Sequence, residues 1–225
     1  MGNLIVIKDL WKVYDVGGQK IEALRSVNLE IEKGSFISIV GHSGSGKTTL
    51  LSIIGGLTEP TKGTVYIDNT DIWKLNDSNL STVRNERFGF IFQFASLIPT
   101  LRTIDNVVLP VIFKKKGNRK EIYDYAEEIL SAMGMSDKMN SFPSELSGGQ
   151  QRRVAIARAF INKPSIIIAD EPTGDLDAET ESEVMDFFSD ANEKDQITFL
   201  LVTHSLELAA MTDKIYKMKD GVFSE

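Results

Sequence analysis

The chain has 225 residues, 42% hydrophobic and 25% charged, an ordinary globular composition that excludes a long disordered or low-complexity tract and makes one compact domain the expectation. It has no cysteine and only two histidines, His42 and His204, which excludes disulfide frameworks, thiol nucleophiles, thiolate metal sites and histidine clusters. A formal net charge of -7 argues against a broad nucleic-acid surface, and the run Lys114 to Lys116 reads as a solvated loop.

No apolar run approaches the roughly 18 residues that a bilayer span needs; the longest candidates, such as Ile166 to Ala169 and Phe199 to Val202, have strand length. The first residues, MGNLIVIKDLWKVYD, lack the basic segment, apolar stretch and cleavage site of a secretory signal, so a cytoplasmic chain is expected.

In chain order, the first third alternates apolar and polar residues. Val27, Leu29 and Ile31 are predicted inward and Asn28, Glu30 and Glu32 outward, on antiparallel strands divided by turns at Gly17-Gly18 and Lys33-Gly34. Phe36 to Val40 follow as an apolar strand running into a glycine loop, and Thr48 to Ile54 as a helix stopped by Gly55-Gly56. From about Phe94 to Glu145 the period changes: Ile122, Ala126, Ile129, Leu130 and Met133 recur at helical spacing, with Gly134 placed to end the helix. Beyond Gln150, the basic-amphipathic helix QRRVAIARAF, the apolar strand in SIIIAD, a helix from about Glu179 and the strand in ITFLLVTH alternate as parallel α/β structure does.

The glycine loop GHSGSGKT comprises Gly41, His42, Ser43, Gly44, Ser45, Gly46, Lys47 and Thr48, followed by Thr49. Its glycines allow backbone angles and close approaches closed to other residues, so successive amides can wrap a phosphate. Lys47 supplies a cation for the outer phosphates and Thr48 a hydroxyl for Mg²⁺, while the following helix aims its positive end at the anion. A bound Mg²⁺ needs a carboxylate and an attacking water needs a base. The strand in SIIIADE ends in Asp170 and Glu171, whose side chains should point oppositely: Asp170 fits the metal shell and Glu171 the general base. A second glycine site, LSGGQ, stands directly before the QRRVAIARAF helix, so Ser147, Gly148, Gly149 and Gln150 can form another anion cradle at a helix N-terminus, although such a segment is more often only a cap. One nucleotide does not need two cradles from one chain, which raises the hypothesis of a dimer that sandwiches it.

GHSGSGKT, LSGGQ, IIIADE and the dipeptide Thr203-His204, in this order and over essentially the whole chain, resemble the nucleotide-binding subunit of ATP-binding cassette transporters. The resemblance implies a P-loop NTPase core with a mostly parallel sheet, an N-terminal antiparallel β subdomain and an inserted α-helical subdomain. Residues 1–93 and 150–225 would form the catalytic core and residues 94–149 the helical signature subdomain. It implies ATP and Mg²⁺ as ligands, and a head-to-tail homodimer in which Ser147 to Gln150 of one copy face the phosphate loop of the other. Gln93 matches a glutamine that senses Mg²⁺ and water and whose loop meets a membrane partner, His204 a histidine that contacts the γ-phosphate and Glu171, and Asp177 a loop coupling the two sites. Tyr14 matches the aromatic that stacks on adenine, with Trp11 the competing residue. Asp175 departs from the small or neutral residue that many relatives carry.

The segments FQFASLIPTLRTIDNVVLPVIF and EPTGDLD are similar to the group serving lipoprotein release and macrolide export, and the implied partner is an integral-membrane permease that holds the chain at the cytoplasmic face of the membrane; an amino-acid importer subunit is the alternative. Only 100 positions separate Lys47 from Ser147, with no heptad array, which opposes a DNA-repair or chromosome ATPase with its long coiled-coil insertion. A single cassette opposes a translation-factor relative, and Glu171 with His204 opposes a binding module without turnover.

Overall fold

The computed structural model describes residues 2–112, 118–174 and 176–224; Lys114 to Lys116 and Asp175 lie outside the described residues. Strands β1 (Asn3–Val16) and β2 (Gln19–Glu32) form a hairpin through Gly17 and Gly18, both left-handed at φ 62 and 83, the geometry a two-residue turn needs to match strand twist. β3 (Phe36–Val40) leads through the glycine loop into α1 (Lys47–Ile54), and β4 (Lys62–Ile67) and β5 (Thr70–Asp71) follow. Next come α2 (Asp77–Arg87), β6 (Phe88–Ile91), α3 (Thr103–Ile112), α4 (Arg119–Ala132) and α5 (Gly148–Phe160). The chain ends through β7 (Ile166–Asp170), α6 (Ala178–Asp195), β8 (Thr198–Thr203), α7 (Leu206–Ala209), β9 (Lys214–Lys219) and β10 (Val222–Ser224).

Two sheets result. The first is antiparallel, in the order β2-β1-β4-β5; the second runs β10-β9-β3-β8-β7-β6, parallel except for the β9–β10 pair. The inner strands β3, β8 and β7 are buried on both faces and almost wholly apolar, as buried parallel strands are, whereas β9 (KIYKMK) is largely exposed. Ile167, Ala169, Phe199 and Leu201 enter one core with α3, α4, α5 and α6, whereas Ile166, Ile168, Leu200 and Val202 enter another with α1 and the antiparallel sheet. Phe199 centres the first core, 5.2 Å from the Phe188 ring and 4.9 Å from that of Phe36. The residues between 94 and 149 therefore share a core with the sheet. Within them, Gly134 at φ 66 ends α4, its N–H donating to Ser131 O at 3.0 Å while Met135 N–H reaches Leu130 O at 2.8 Å.

The antiparallel sheet carries a bulge that its alternation does not announce. Asp9 (φ 46) and Ser26 (φ 49) are left-handed, the β1–β2 register shifts between Ile7 and Leu10, and a Cβ at Gly63 would stand 2.1 Å from Asp9 O. The exposed Asp9 carboxylate fixes this bulge by accepting from Trp11 Nε1 at 2.9 Å, Ser26 Oγ at 2.7 Å and Lys62 Nζ at 2.7 Å. Lys62, then Ser26 and Trp11, hold its carboxyl well below the ordinary carboxylate range. A depressed folded pKa contributes stability above the unfolded value of about 3.9, and that contribution is lost as pH falls through the folded value. Asp9→Asn is expected to melt at a lower temperature than the parent at pH 7, with the gap narrowing at pH 3; thermal melts with equal gaps at the two pH values would remove the ionic part of this account.

Candidate active site

The phosphate loop leaves β3 and enters α1, and its shape depends on three glycines. Gly44 and Gly46 are left-handed at φ 77 and 103, and a Cβ on Gly41 would stand 2.2 Å from Met218 O. The first turn of α1 leaves the N–H groups of Lys47, Thr48 and Thr49 without intrahelical acceptors, which is where an anion binds. Lys47 Nζ folds back to donate to Gly41 O at 2.7 Å and His42 O at 3.0 Å, so its ammonium stands over the loop.

Thr48 Oγ1 donates to Asp170 Oδ2 at 2.8 Å, joining the start of α1 to the end of β7. Burial raises the Asp170 pKa, with the Glu171 charge adding to it and the Thr48 hydrogen bond and Lys47 opposing it. A half-buried carboxylate beside a hydroxyl and an ammonium is a place for a divalent cation, whose charge would offset the burial. No cluster of three His, Cys, Asp or Glu side chains occurs among the described residues. One carboxylate paired with a hydroxyl, Asp170 with Thr48, suits Mg²⁺, which takes one or two carboxylates and fills its shell with water and substrate phosphates.

Glu171 does turn away from Asp170, but not by strand alternation. It lies just past β7 with a left-handed φ of 48, a strained conformation for a side-chain-bearing residue, held by its N–H bond to Val202 O at 2.9 Å. Its carboxylate meets His204 Nδ1 at 2.9 Å and accepts from Thr203 Oγ1 at 3.2 Å, both at the end of β8. The Glu171 side chain is 18% exposed and that of His204 77%, so the pair is open to solvent on the histidine side. A carboxylate held in this way can accept a proton from a water in the cleft.

These residues line one cleft of about 590 Å³, bounded by Ser43 to Thr49, Gln93, Asp170, Glu171 and His204, together with Ile21, Glu22, Ala23, Phe94, Arg152 and Gly174. Several predicted residues stand outside it. His42 contributes its carbonyl to Lys47 and not its side chain to the cleft wall. Tyr14 lies at the rim: it pairs across the hairpin with Ile21, which does line the cleft, and directly paired residues share a face. Trp11 is committed to Asp9 and stands opposite Lys62 of β4. Ser147, Gly148, Gly149 and Gln150 do not line the cleft of their own chain. Ser147 Oγ accepts from Gln150 N at 3.2 Å and Gln150 Oε1 from Ser147 N at 3.0 Å, a reciprocal cap at the start of α5. Asp177 caps α6 by accepting from Thr180 N at 2.9 Å and Thr180 Oγ1 at 3.0 Å, bonds that lower its pKa.

Two arginines of α5 escaped sequence reading. Arg152, only 2% exposed, donates to Phe92 O and Gln93 O, and Arg158 donates to Ser96 O at 2.9 Å and Ala95 O at 2.8 Å. Burial lowers the Arg158 pKa. For Arg152 the signal was present in QRRVAIARAF: Arg152, Ala155, Ile156 and Ala159 share one helical face, which puts a cation where the core is.

Residues 24–174 match the protein family described as ABC transporter. An ABC transporter ATP-binding protein of Methanocaldococcus jannaschii, MJ0796, is 46% identical over 221 residues, covering 97% of this chain and 94% of that protein. Its dimeric cassette structure superposes with a TM-score of 0.94 over 98% of this chain and 97% of that one, at 45% identity. A second structure of MJ0796, a dimeric post-hydrolysis state bound to ADP and Pi, gives the same TM-score of 0.94 at 44% identity over 98% of this chain and 97% of that one. The lipoprotein-releasing system ATP-binding protein LolD of Saccharophagus degradans is 41% identical over 216 residues, 95% of this chain and 93% of that protein. The macrolide export ATP-binding/permease protein MacB of Rhodopirellula baltica is 39% identical over 223 residues, 99% of this chain but 33% of that larger protein.

Lys47→Ala removes the one ammonium that stands over the loop and is expected to abolish both nucleotide binding and turnover, read by titration with a fluorescent ATP analogue and by phosphate release. Parent-level ATPase activity in that variant would withdraw the phosphate-loop assignment.

Proposed function

The chain belongs to the ABC transporter family of ATPases, with ATP and Mg²⁺ as its ligands, and from that premise we propose that it hydrolyses ATP at a site shared by two copies and passes the work to a membrane permease. One observation carries this reading. The cleft gathers the phosphate loop, Asp170, Glu171 and His204, yet the second cradle of the same chain, Ser147 to Gln150, is not part of its wall. A head-to-tail second copy supplies it, and that the cassette structure of MJ0796 is dimeric supports a second copy.

In this reading the amides of Gly44 to Thr48 and the Lys47 ammonium bind the phosphates, Lys47 exchanging the Gly41 and His42 carbonyls for phosphate oxygens. Thr48, Asp170 and Gln93 would hold Mg²⁺, which would supply charge neutralisation to the phosphate oxygens. Glu171 takes the proton of a water as its oxygen bonds to the γ-phosphorus and the bond to the β–γ bridging oxygen breaks, releasing ADP and phosphate. His204 orients Glu171 and reaches the γ-phosphate. Tyr14, at the rim beside Ile21, stacks on the base. Asp177, at the start of α6, lies on the loop that couples the two sites. Residues 1–93 and 150–225 act as the catalytic core and 94–149 as the signature-bearing unit.

The permease side is supported by the loop that follows β6, where Phe92 and Phe94 are 45% and 73% exposed next to Gln93. Large apolar side chains left in water beside a residue expected at the metal suit a protein partner. No helix among the described residues is long and apolar enough to cross a membrane. In this reading the permease supplies the span and the chain sits peripherally on the cytoplasmic face. LolD and MacB point to export or extraction of a lipoprotein, peptide or lipophilic compound as the work performed.

Glu171→Gln keeps the shape of the site and removes the proton acceptor. With ATP added it is expected to run as a dimer on size exclusion, and a variant that binds ATP yet stays monomeric would sink the shared-site reading.

A further inference from the structure

One neighbour of the phosphate loop contributes no side chain to the cleft. β9 and β10 are joined by Asp220 and Gly221, both left-handed at φ 49 and 78, the geometry of a two-residue Asp-Gly hairpin turn. The turn is bonded on two sides. Gly221 N–H donates to Ser45 O, within the phosphate loop, at 3.0 Å, and Gly221 O accepts from Arg25 N, on β2, at 2.9 Å. The Arg25 guanidinium then donates twice to Asp220 O, from Nε at 2.9 Å and from Nη2 at 2.6 Å. The packing is equally close. A Cβ at Gly46 would stand 2.5 Å from Ala23 O, and one at Gly221 2.8 Å from the same oxygen.

We propose that Arg25 and the Asp220-Gly221 turn are positioning residues for the phosphate loop, setting the affinity of the cleft for the phosphates of the nucleotide. The reason lies in the planar trans peptide, in which the carbonyl and the next N–H point in opposite directions. Gly221 holds the Ser45 carbonyl toward the hairpin, so the Gly46 N–H of the same peptide unit is aimed the other way, to the side where Ser45 and Gly46 line the cleft. A cradle of amides binds an anion only while its donors converge. Arg25 keeps the turn in place through carbonyls that the hairpin's own ladder does not use. The inference rests on reading Gly41 to Thr48 as the ATP phosphate site. Neither Arg25 nor Gly221 lines the cleft, and their bonds go to the turn and the phosphate loop and not to Glu171, so binding and the chemical step separate.

The test is a titration with a fluorescent ATP analogue, with steady-state kinetics and thermal melts, on the parent, Arg25→Ala, Arg25→Lys and Gly221→Ala. Loss of two charge-assisted bonds is expected to raise Kd and KM of Arg25→Ala about tenfold, while kcat at saturating ATP stays within about twofold of the parent. Arg25→Lys, able to reach Asp220 O with a single ammonium, is expected to fall between the two. Gly221→Ala is expected to weaken binding further; if that chain does not fold, the Arg25 pair decides. A folded Arg25→Ala with parental Kd, or one that loses kcat while KM holds, overturns the proposal. A parent chain that does not bind the analogue overturns the ATP reading itself, a result separate from the behaviour of the variants.

Discussion

Three parallel strands ending level are the constraint on which the cleft depends. β8 lies between β3 and β7, with Val40 opposite Thr203 and Asp170 opposite Val202. Parallel strands send all their carboxyl ends to one edge, and ligands of such sheets bind there. The phosphate loop, the Asp170-Glu171 pair and His204 are the continuations of these three strands, so chemistry scattered over 163 sequence positions, from Gly41 to His204, converges without a dedicated scaffold. The strands keep their register because both faces are buried. A slip of one residue along β7 would exchange Ile167 and Ala169 for Ile166 and Ile168 across two cores and carry Asp170 away from Thr48.

Much of this was legible because the decisive signals are local. The alternation of Val27, Leu29 and Ile31, the glycines at 41, 44 and 46, the apolar strands and the stop at Gly134 each depend on neighbours in sequence. The rest depends on contacts between distant residues. The divergence of Glu171 from Asp170 comes from a left-handed backbone held by Val202, not from a strand's period. Which of Trp11 and Tyr14 stands near the cleft is decided by the bulge at Asp9, whose carboxylate takes the Trp11 indole while Tyr14 pairs with Ile21. The helical period places Arg152 on a buried face, but no periodicity names the partners of Arg152, Arg158 and Gly221, which lie 60, 62 and 176 positions away.

Helix α5 connects the two halves of the proposed site. Its first turn carries the Ser147 cap and the Gly148 and Gly149 amides, none of which lines the cleft of its own chain; its arginines hold four carbonyls of the segment around Gln93, at positions 92, 93, 95 and 96. In the proposed head-to-tail dimer the same helix would touch the partner's nucleotide at one end while holding its own Gln93 loop along its side, beside the exposed Phe92 and Phe94 that a permease would cover.

The central claim is that each working site is assembled from two chains, and complementation tests it most directly. Lys47→Ala spoils the phosphate loop and leaves the Ser147 cradle; Ser147→Arg blocks the cradle and leaves the loop. Each alone should show only background ATPase. Mixed in equal amounts, they form heterodimers with one intact site of two, and activity should rise to about a quarter of the parent's if the two sites act independently. A mixture that stays at the background of its two components, or a Ser147→Arg chain that alone hydrolyses ATP at the parent rate, would contradict the shared site.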